Sequence, residues 1–371
     1  MLCAGSSAWI EQSVPNRKIG GSNPPRRVML PIHVLQGMRY FFSSLKQKLI
    51  GPARYKGSAD EICGQIVKNC WNGAYFQTST HHYREFWSRD FGYCVESLVK
   101  LGYLNEVRQT LAYALEKFSK TGIKTTISRE GVPFSFPNVY SPDSVALIMR
   151  ALRVANDKVL LKKYKTFLQR EIDAFGHIVL EDGRVRSAQF SGMRDYAVRS
   201  SSCYDHCMSI LLAREAKKLG FKFDYSEKQL VKSLNNYWIG YYRDDLASLA
   251  PSGDANALPY WLGVGKDFSK TLRILHDELP LSYGCKQKMI AEEFFVPGWE
   301  TDAVWPLLGF IWMKAVKKYN PALARKYKAN YSAIIEKYGT LYEVYQNGKP
   351  YKSFFYHADE GMLWASNFLA L

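Results

Sequence analysis

Asp143 to Ala155 reads DSVALIMRALRVA, and Asp302 to Val316 reads DAVWPLLGFIWMKAV. Each opens on an aspartate and then stays apolar nearly all the way round a helical wheel, which predicts a buried helix. The segments 104–119, 157–174 and 321–338 instead carry one apolar stripe and a Lys/Arg/Glu face, which predicts surface helices. The alternation extends along the chain. Candidate helices cover 58–71, 90–101, 104–119, 143–155, 157–174, 205–219, 226–240, 256–264, 267–279, 302–319, 321–338 and 359–370. Gly102, Gly220 and Gly265 stand where helices should stop. Aspartates lead the apolar helices at Asp90, Asp143, Asp205, Asp254, Asp302 and Asp359, spaced 53, 62, 49, 48 and 57 residues apart. A helix pair repeated about every 50 residues signals a repeat architecture. Six helical hairpins close into a double ring, so the expected class is all-α, an (α/α)6 toroid. Segments 122–136, 177–187 and 339–355 read as short β-hairpins at the mouth of that ring. Aspartate is a favoured N-cap. Six of them at one mouth would make an acidic funnel, suited to a neutral, hydroxyl-rich ligand.

Composition excludes several classes. Of 371 residues, 47% are hydrophobic and 23% charged, the balance of a folded globular chain rather than a disordered one. No apolar run approaches the roughly 20 residues of a membrane span. Seven scattered cysteines, an odd number, point to reduced thiols and a cytoplasmic setting. The net charge is +16, and residues 1–56, with nine Lys/Arg and one acid, supply +8 of it. No recognition motif accompanies the charge, so a nucleic-acid partner is not expected. Residues 1–28 look foreign to the rest: within them the stretch Ser6–Pro25 shows no helical or strand period and resembles a mistakenly translated transfer-RNA gene. They are expected to be a spurious or disordered extension packing on nothing, with the start at Met29 or Met38 in place of Met1. Residues 29–57 are expected to form a basic linker or short amphipathic helix, and 58–371 the toroid.

Three blocks carry a resemblance. The loop WSRDFGY, Trp87 to Tyr93, resembles the Trp-x-Arg-Asp signature opening the first inner helix of the glucoamylase family and its glycogen-debranching relatives. The resemblance implies that Arg89 and Asp90 bind hydroxyls of a terminal sugar. A planar donor fork beside an acceptor-only carboxylate suits that task. TLYEVYQNGKPYKSFFYHADEGMLWAS, Thr340 to Ser366, is similar to the C-terminal block of that family. It implies that Glu343 is the general base and that Trp364 is the tryptophan of the last inner helix. QFSGMRDYAVRSSSCYDHC, Gln189 to Cys207, contains a Ser-Gly-x-x-Asp piece similar to the Ser-Gly-Trp-Asp motif of trehalases, with one extra residue. It implies a general acid at Asp195. Arg194 beside it favours the ionised form, so an acid there needs burial.

Together these blocks imply a six-hairpin glycosidase whose domain spans 58–371. The expected activity is inverting, exo-acting release of glucose from an α-glucoside, oligosaccharide or disaccharide. Cleavage of a glycosidic bond needs one carboxyl to protonate the leaving oxygen and a second to activate water. Loops three repeats apart imply a wide gap of about 6.5–9.5 Å, hence inversion. Asp143 is expected to bind substrate as well, as are Trp299 and Glu300, with Glu360 the alternative base. Trp87, Trp261 and Trp299 are candidate stacking platforms. Cys203, His206 and Cys207 lack a second half-site and His81-His82 lacks a partner in sequence, so no metal or cofactor is expected. Two alternatives remain open: a disaccharide phosphorylase, and a non-catalytic toroid binding carbohydrate or a protein partner.

Overall fold

The computed structural model describes residues 26–194, 199–274, 296–301 and 303–371. Among them, helix α1 (Arg26–Ile50) precedes six outer and six inner helices. The inner set is α3 (Ser88–Lys100), α5 (Pro142–Ala155), α7 (Cys203–Leu219), α9 (Gly253–Trp261), α11 (Pro306–Tyr319) and α13 (Ala365–Leu369). Each packs on the next, and α13 returns to α3, closing the ring. The outer set is α2 (Ala59–Cys70), α4 (Leu104–Phe118), α6 (Lys158–Val179), α8 (Glu227–Leu234), α10 (Phe268–Ile274) and α12 (Pro321–Tyr338). The expected (α/α)6 toroid is therefore the fold.

Burial follows the sequence pattern. On α5, every residue from Pro142 to Leu152 is buried, whereas α4 and α6 bury one stripe each. Start and stop signals act locally. Ser58 caps α2 in a reciprocal capping box with Glu61. Pro142, Pro306 and Pro321 occupy first helical positions, where a missing N–H costs nothing.

Among the described residues, three short antiparallel sheets sit in the loops. β1 (Phe86–Trp87) pairs with β2 (Thr126–Ile127), placing Trp87 opposite Thr126, and β2 pairs with β3 (Pro133–Phe134). The other two are hairpins, β4 (Leu180–Glu181) with β5 (Arg184–Val185), and β6 (Tyr345–Gln346) with β7 (Lys349–Pro350). Both turn on left-handed pairs, Asp182-Gly183 and Asn347-Gly348, which match the twist of two-residue hairpins.

Three expectations need correction. Asp90, Asp143, Asp205 and Asp254 lie in the first turns of α3, α5, α7 and α9, but not as caps; the N-cap of α7, for example, is Ser202. Asp359 lies six residues before α13, whose helix is far shorter than 359–370. Its carboxylate instead accepts the backbone N–H groups of His82, Tyr83 and Glu360. Asp302 and residues 1–25 fall outside the described residues. The basic segment forms a helix from Arg26 to Ile50, so the boundary expected at 28 falls inside it.

Candidate active site

Trp87 ends β1, and Ser88, Arg89 and Asp90 begin α3. Ser88 fixes this junction through its N–H to the Thr125 carbonyl at 2.8 Å and its hydroxyl to the Lys124 carbonyl at 2.7 Å. Arg89 Nε donates to Asp143 Oδ2 at 2.5 Å and Nη2 to Ser191 Oγ at 3.2 Å. Tyr204 and Ser141 hydroxyls donate to the same Asp143 carboxylate, at 2.8 and 2.6 Å. Asp143 thus aims Arg89 from behind.

The C-terminal block meets this corner directly. Trp364 Nε1 donates to Asp90 Oδ1 at 2.8 Å, across 274 positions of sequence. Glu343 is held by a two-way bridge with Asp359: its N–H donates to the Asp359 carbonyl at 2.9 Å, and its Oε2 accepts the Asp359 N–H at 3.2 Å. Tyr356 Oη donates to the same Oε2 at 2.7 Å and lies 2.7 Å from Tyr83 Oη. Oε1 of Glu343 has no partner among the described residues.

These residues surround one pocket. Its lining includes Trp87, Arg89, Asp90, Trp299, Glu343 and Trp364, all expected from sequence. Tyr83, Met193 and Trp305 join the wall without any such expectation. Their positions are set by loop packing: Trp305 stands 4.7 Å edge-on to Trp299, and its Nε1 donates to the Trp299 carbonyl at 2.7 Å. Only the density of aromatics in HHYREFW and ETDAVW hints at Tyr83 and Trp305, and nothing in those segments hints at Met193.

The remaining expected residues are elsewhere. Asp143 is fully buried behind Arg89 and is not part of the pocket lining. Glu300 is buried beside Trp299 but is likewise not in the lining. Glu360 lines a separate cavity with Ala53, Tyr55 and His81, and its carboxylate accepts Ala53 N–H at 2.8 Å and Gln47 Nε2 at 2.9 Å. That placement removes the reason to invoke it as an alternative base. Trp261 is a packing residue, 5.0 Å beneath the Arg150 guanidinium. Asp195 lies outside the described residues. Its neighbour Arg194 is fully buried and ion-paired with Asp244 and Asp254.

Burial dominates the electrostatics. It pushes Asp90 up to about 6, although Arg89 and the Trp364 N–H pull the other way. It raises Glu343 well above the ordinary carboxylate range, reinforced by the Asp359 charge and resisted by the Tyr356 and Asp359 hydrogen bonds. Burial also works against a charged Asp359. The nearby His82 ring, 3.7 Å away, with His81, Ser79 and the His82 N–H around the carboxylate, more than offsets it and holds that carboxyl at about 2. Two carboxylates of shifted affinity on one aromatic pocket can share proton-transfer and hydroxyl-binding roles.

His81, His82 and Asp359 form a group close enough to contact one cation. All the same, the Asp359 oxygens are already taken up by three backbone N–H donors.

No protein-family model matches the chain, and no curated protein matches it. Solved structures do. A rhamnosidase from Klebsiella oxytoca with rhamnose bound superposes with a TM-score of 0.62 at 14% identity, over 86% of this chain and 64% of that one. The chain therefore spans under two thirds of the rhamnosidase's length. A glycosidase point variant in complex with glucose gives 0.60 at 10% identity over 84% and 94%. A GH63 mannosylglycerate hydrolase from Thermus thermophilus, in complex with Tris, gives 0.55 at 13% identity over 84% and 99%. In fold, the chain is a six-hairpin (α/α)6 toroid of the kind these glycosidases have.

Proposed function

We propose that the protein is a glycoside hydrolase, with Glu343 as general base and Asp195 as general acid. The observation that carries the reading is the meeting of Glu343, Arg89, Asp90 and Trp364 on one aromatic-walled pocket. Trp87, Trp299 and Trp305 offer faces for sugar C–H groups, and Arg89 and Asp90 offer a donor and an acceptor for hydroxyls. In its ionised form, which the Tyr356 hydroxyl and the Asp359 N–H at Oε2 favour against burial, Glu343 takes a proton from water at Oε1. We further propose inverting, exo-acting cleavage of an α-glucoside or oligosaccharide in the cytoplasm, in the manner of a glucoamylase, debranching enzyme or trehalase. The five described cysteines, all buried and unpaired, suit a reducing compartment.

The test is a release assay over maltose, isomaltose, trehalose, glycogen and α-rhamnosides, with the anomer of the product read by NMR. β-Glucose from an α-glucoside is the expected result. Glu343→Gln and Asp195→Asn should each lower turnover by about two to four orders of magnitude. Undiminished hydrolysis by Glu343→Gln would place the base elsewhere. No release by the parent from any of these glycosides, with sugar binding still measurable, would favour a binding toroid.

A further inference from the structure

Helix α1 packs inside out. A helix on a protein surface ordinarily buries its apolar stripe and turns polar residues to water. Apart from the buried Ile32, α1 does the reverse. Gln36, Ser44 and Gln47 are buried against the toroid, each at most 3% exposed. Gln47 Nε2 donates to Glu360 Oε2 at 2.9 Å, Ser44 Oγ accepts the His357 N–H at 3.4 Å, and His33 Nε2 lies 2.9 Å from the Ser135 carbonyl. Tyr40 stacks edge-on against Tyr83, a wall of the pocket, at 4.9 Å. Facing away are Val34, Leu35, Met38, Phe41, Phe42, Leu45, Leu49 and Ile50, with Phe42 58% and Leu49 79% exposed. Their spacing of three and four residues makes one continuous stripe. Phe354, 85% exposed, lies beside its C-terminal end, where Lys48 Nζ donates to the Phe354 carbonyl at 2.8 Å.

Charge selects the occupant of this stripe. α1 carries no acidic residue; Arg39 is ion-paired with Glu130 of a neighbouring loop, and Lys46 and Lys48 stand exposed. A second copy of the helix laid against the first would bring Lys46 and Lys48 up to like charges with no acid on the helix to pair them, which disfavours self-association. An anionic bilayer meets both demands, since acyl chains accept the stripe and headgroup phosphates accept the cations. Among the described residues no helix is long and apolar enough to cross a membrane, so any contact of α1 with lipid lies in the plane of the interface. We infer that α1 docks the protein peripherally on an anionic lipid surface, through the stripe from Val34 to Ile50.

The experiment is co-sedimentation of the full chain with vesicles of phosphatidylcholine alone or mixed with phosphatidylglycerol, together with its mass in solution by light scattering. Binding to the mixed vesicles, weak on phosphatidylcholine alone and reduced by salt, is expected. A Phe42→Asp, Leu45→Asp, Leu49→Asp variant changes only outward side chains. It should melt as the parent does and lose about tenfold or more in vesicle affinity. Three outcomes overturn the inference. The folded parent could stay in the supernatant with anionic vesicles. The triple variant could bind as well as the parent. The parent could be a dimer that the triple variant abolishes, which would make the stripe a contact between copies.

Discussion

Tyr356 is the residue on which the proposed chemistry leans most. Its hydroxyl donates to Glu343 Oε2 and helps the charged form of a carboxyl that burial raises. Tyr356→Phe removes that donor while keeping the ring against Trp299. The acid limb of the pH–rate profile should then move to higher pH, and kcat should fall about tenfold. An unmoved limb would mean that Glu343 does not set it. Asp90 allows a test without substrate. Below about pH 4 its carboxyl is neutral in both folded and unfolded chains. Between there and about 6 the unfolded chain ionises first, so the folded state loses stability as pH rises, and above 6 the loss is complete. The loss amounts to about 3 kcal/mol. Asp90→Asn keeps an oxygen for Trp364 Nε1 and escapes the penalty. Urea melts should show the variant gaining on the parent by up to that amount from about pH 4 to about pH 7. A gap constant with pH would show that the carboxyl ionises normally.

At the scale of elements, the seam between α3 and α5 depends on Gly92. A methyl there would come 2.4 Å from Leu147 Cβ and 3.3 Å from its main chain, so no rotamer of Leu147 relieves the clash. Gly92→Ala should cost about 1–3 kcal/mol and lower the melting temperature accordingly, as overpacking does. An unchanged melt would mean the two helices part freely. Helices are legible in sequence because their signals are local: apolar period, Pro or Ser at the start, Gly at the stop. Trp87, Arg89 and Asp90 are legible because they lie together on one strand–helix junction. Tyr83 and Tyr356 are not, because nothing within either loop says that they meet across 273 positions. The last helix misleads for a related reason. Asp359 looks like a helix start, but its carboxylate serves the loop at His82 and Tyr83, and helix waits until Ala365. The reversed face of α1 is likewise hidden, since which side docks depends on polar partners in remote loops.

At the scale of the molecule, the ring closes where its last inner helix meets its first. Three inner helices converge there on a polar knot in an apolar interior. Lys314 of α11 donates to Ser97 Oγ of α3 and Asn367 Oδ1 of α13, both at 3.0 Å, and Ser97 Oγ donates to the same Asn367 oxygen at 2.6 Å. Burial, with the nearby Arg150 charge, lowers the Lys314 ammonium to about 8. For a base with a depressed folded value, the stability associated with its neutral form is present above the unfolded value of about 10.4 and lost as pH falls through about 8. At neutral pH the folded protein therefore holds a charged lysine at its closure point, compensated by Asn367 and Ser97. Asn367→Leu strips one acceptor and leaves that ammonium short of partners. It should destabilise by about 3 kcal/mol at about pH 7, since a buried charge loses its compensation. It should cost less above about pH 8, where the lysine is largely neutral. Lys314→Met removes the charge itself, so the double variant should be more stable than the sum of the single changes implies, with a coupling of about 1–3 kcal/mol. Strict additivity in urea melts at neutral pH would mean that the knot does not join the ends of the ring, and that α13 is held by its apolar contacts with α2 and α3 alone.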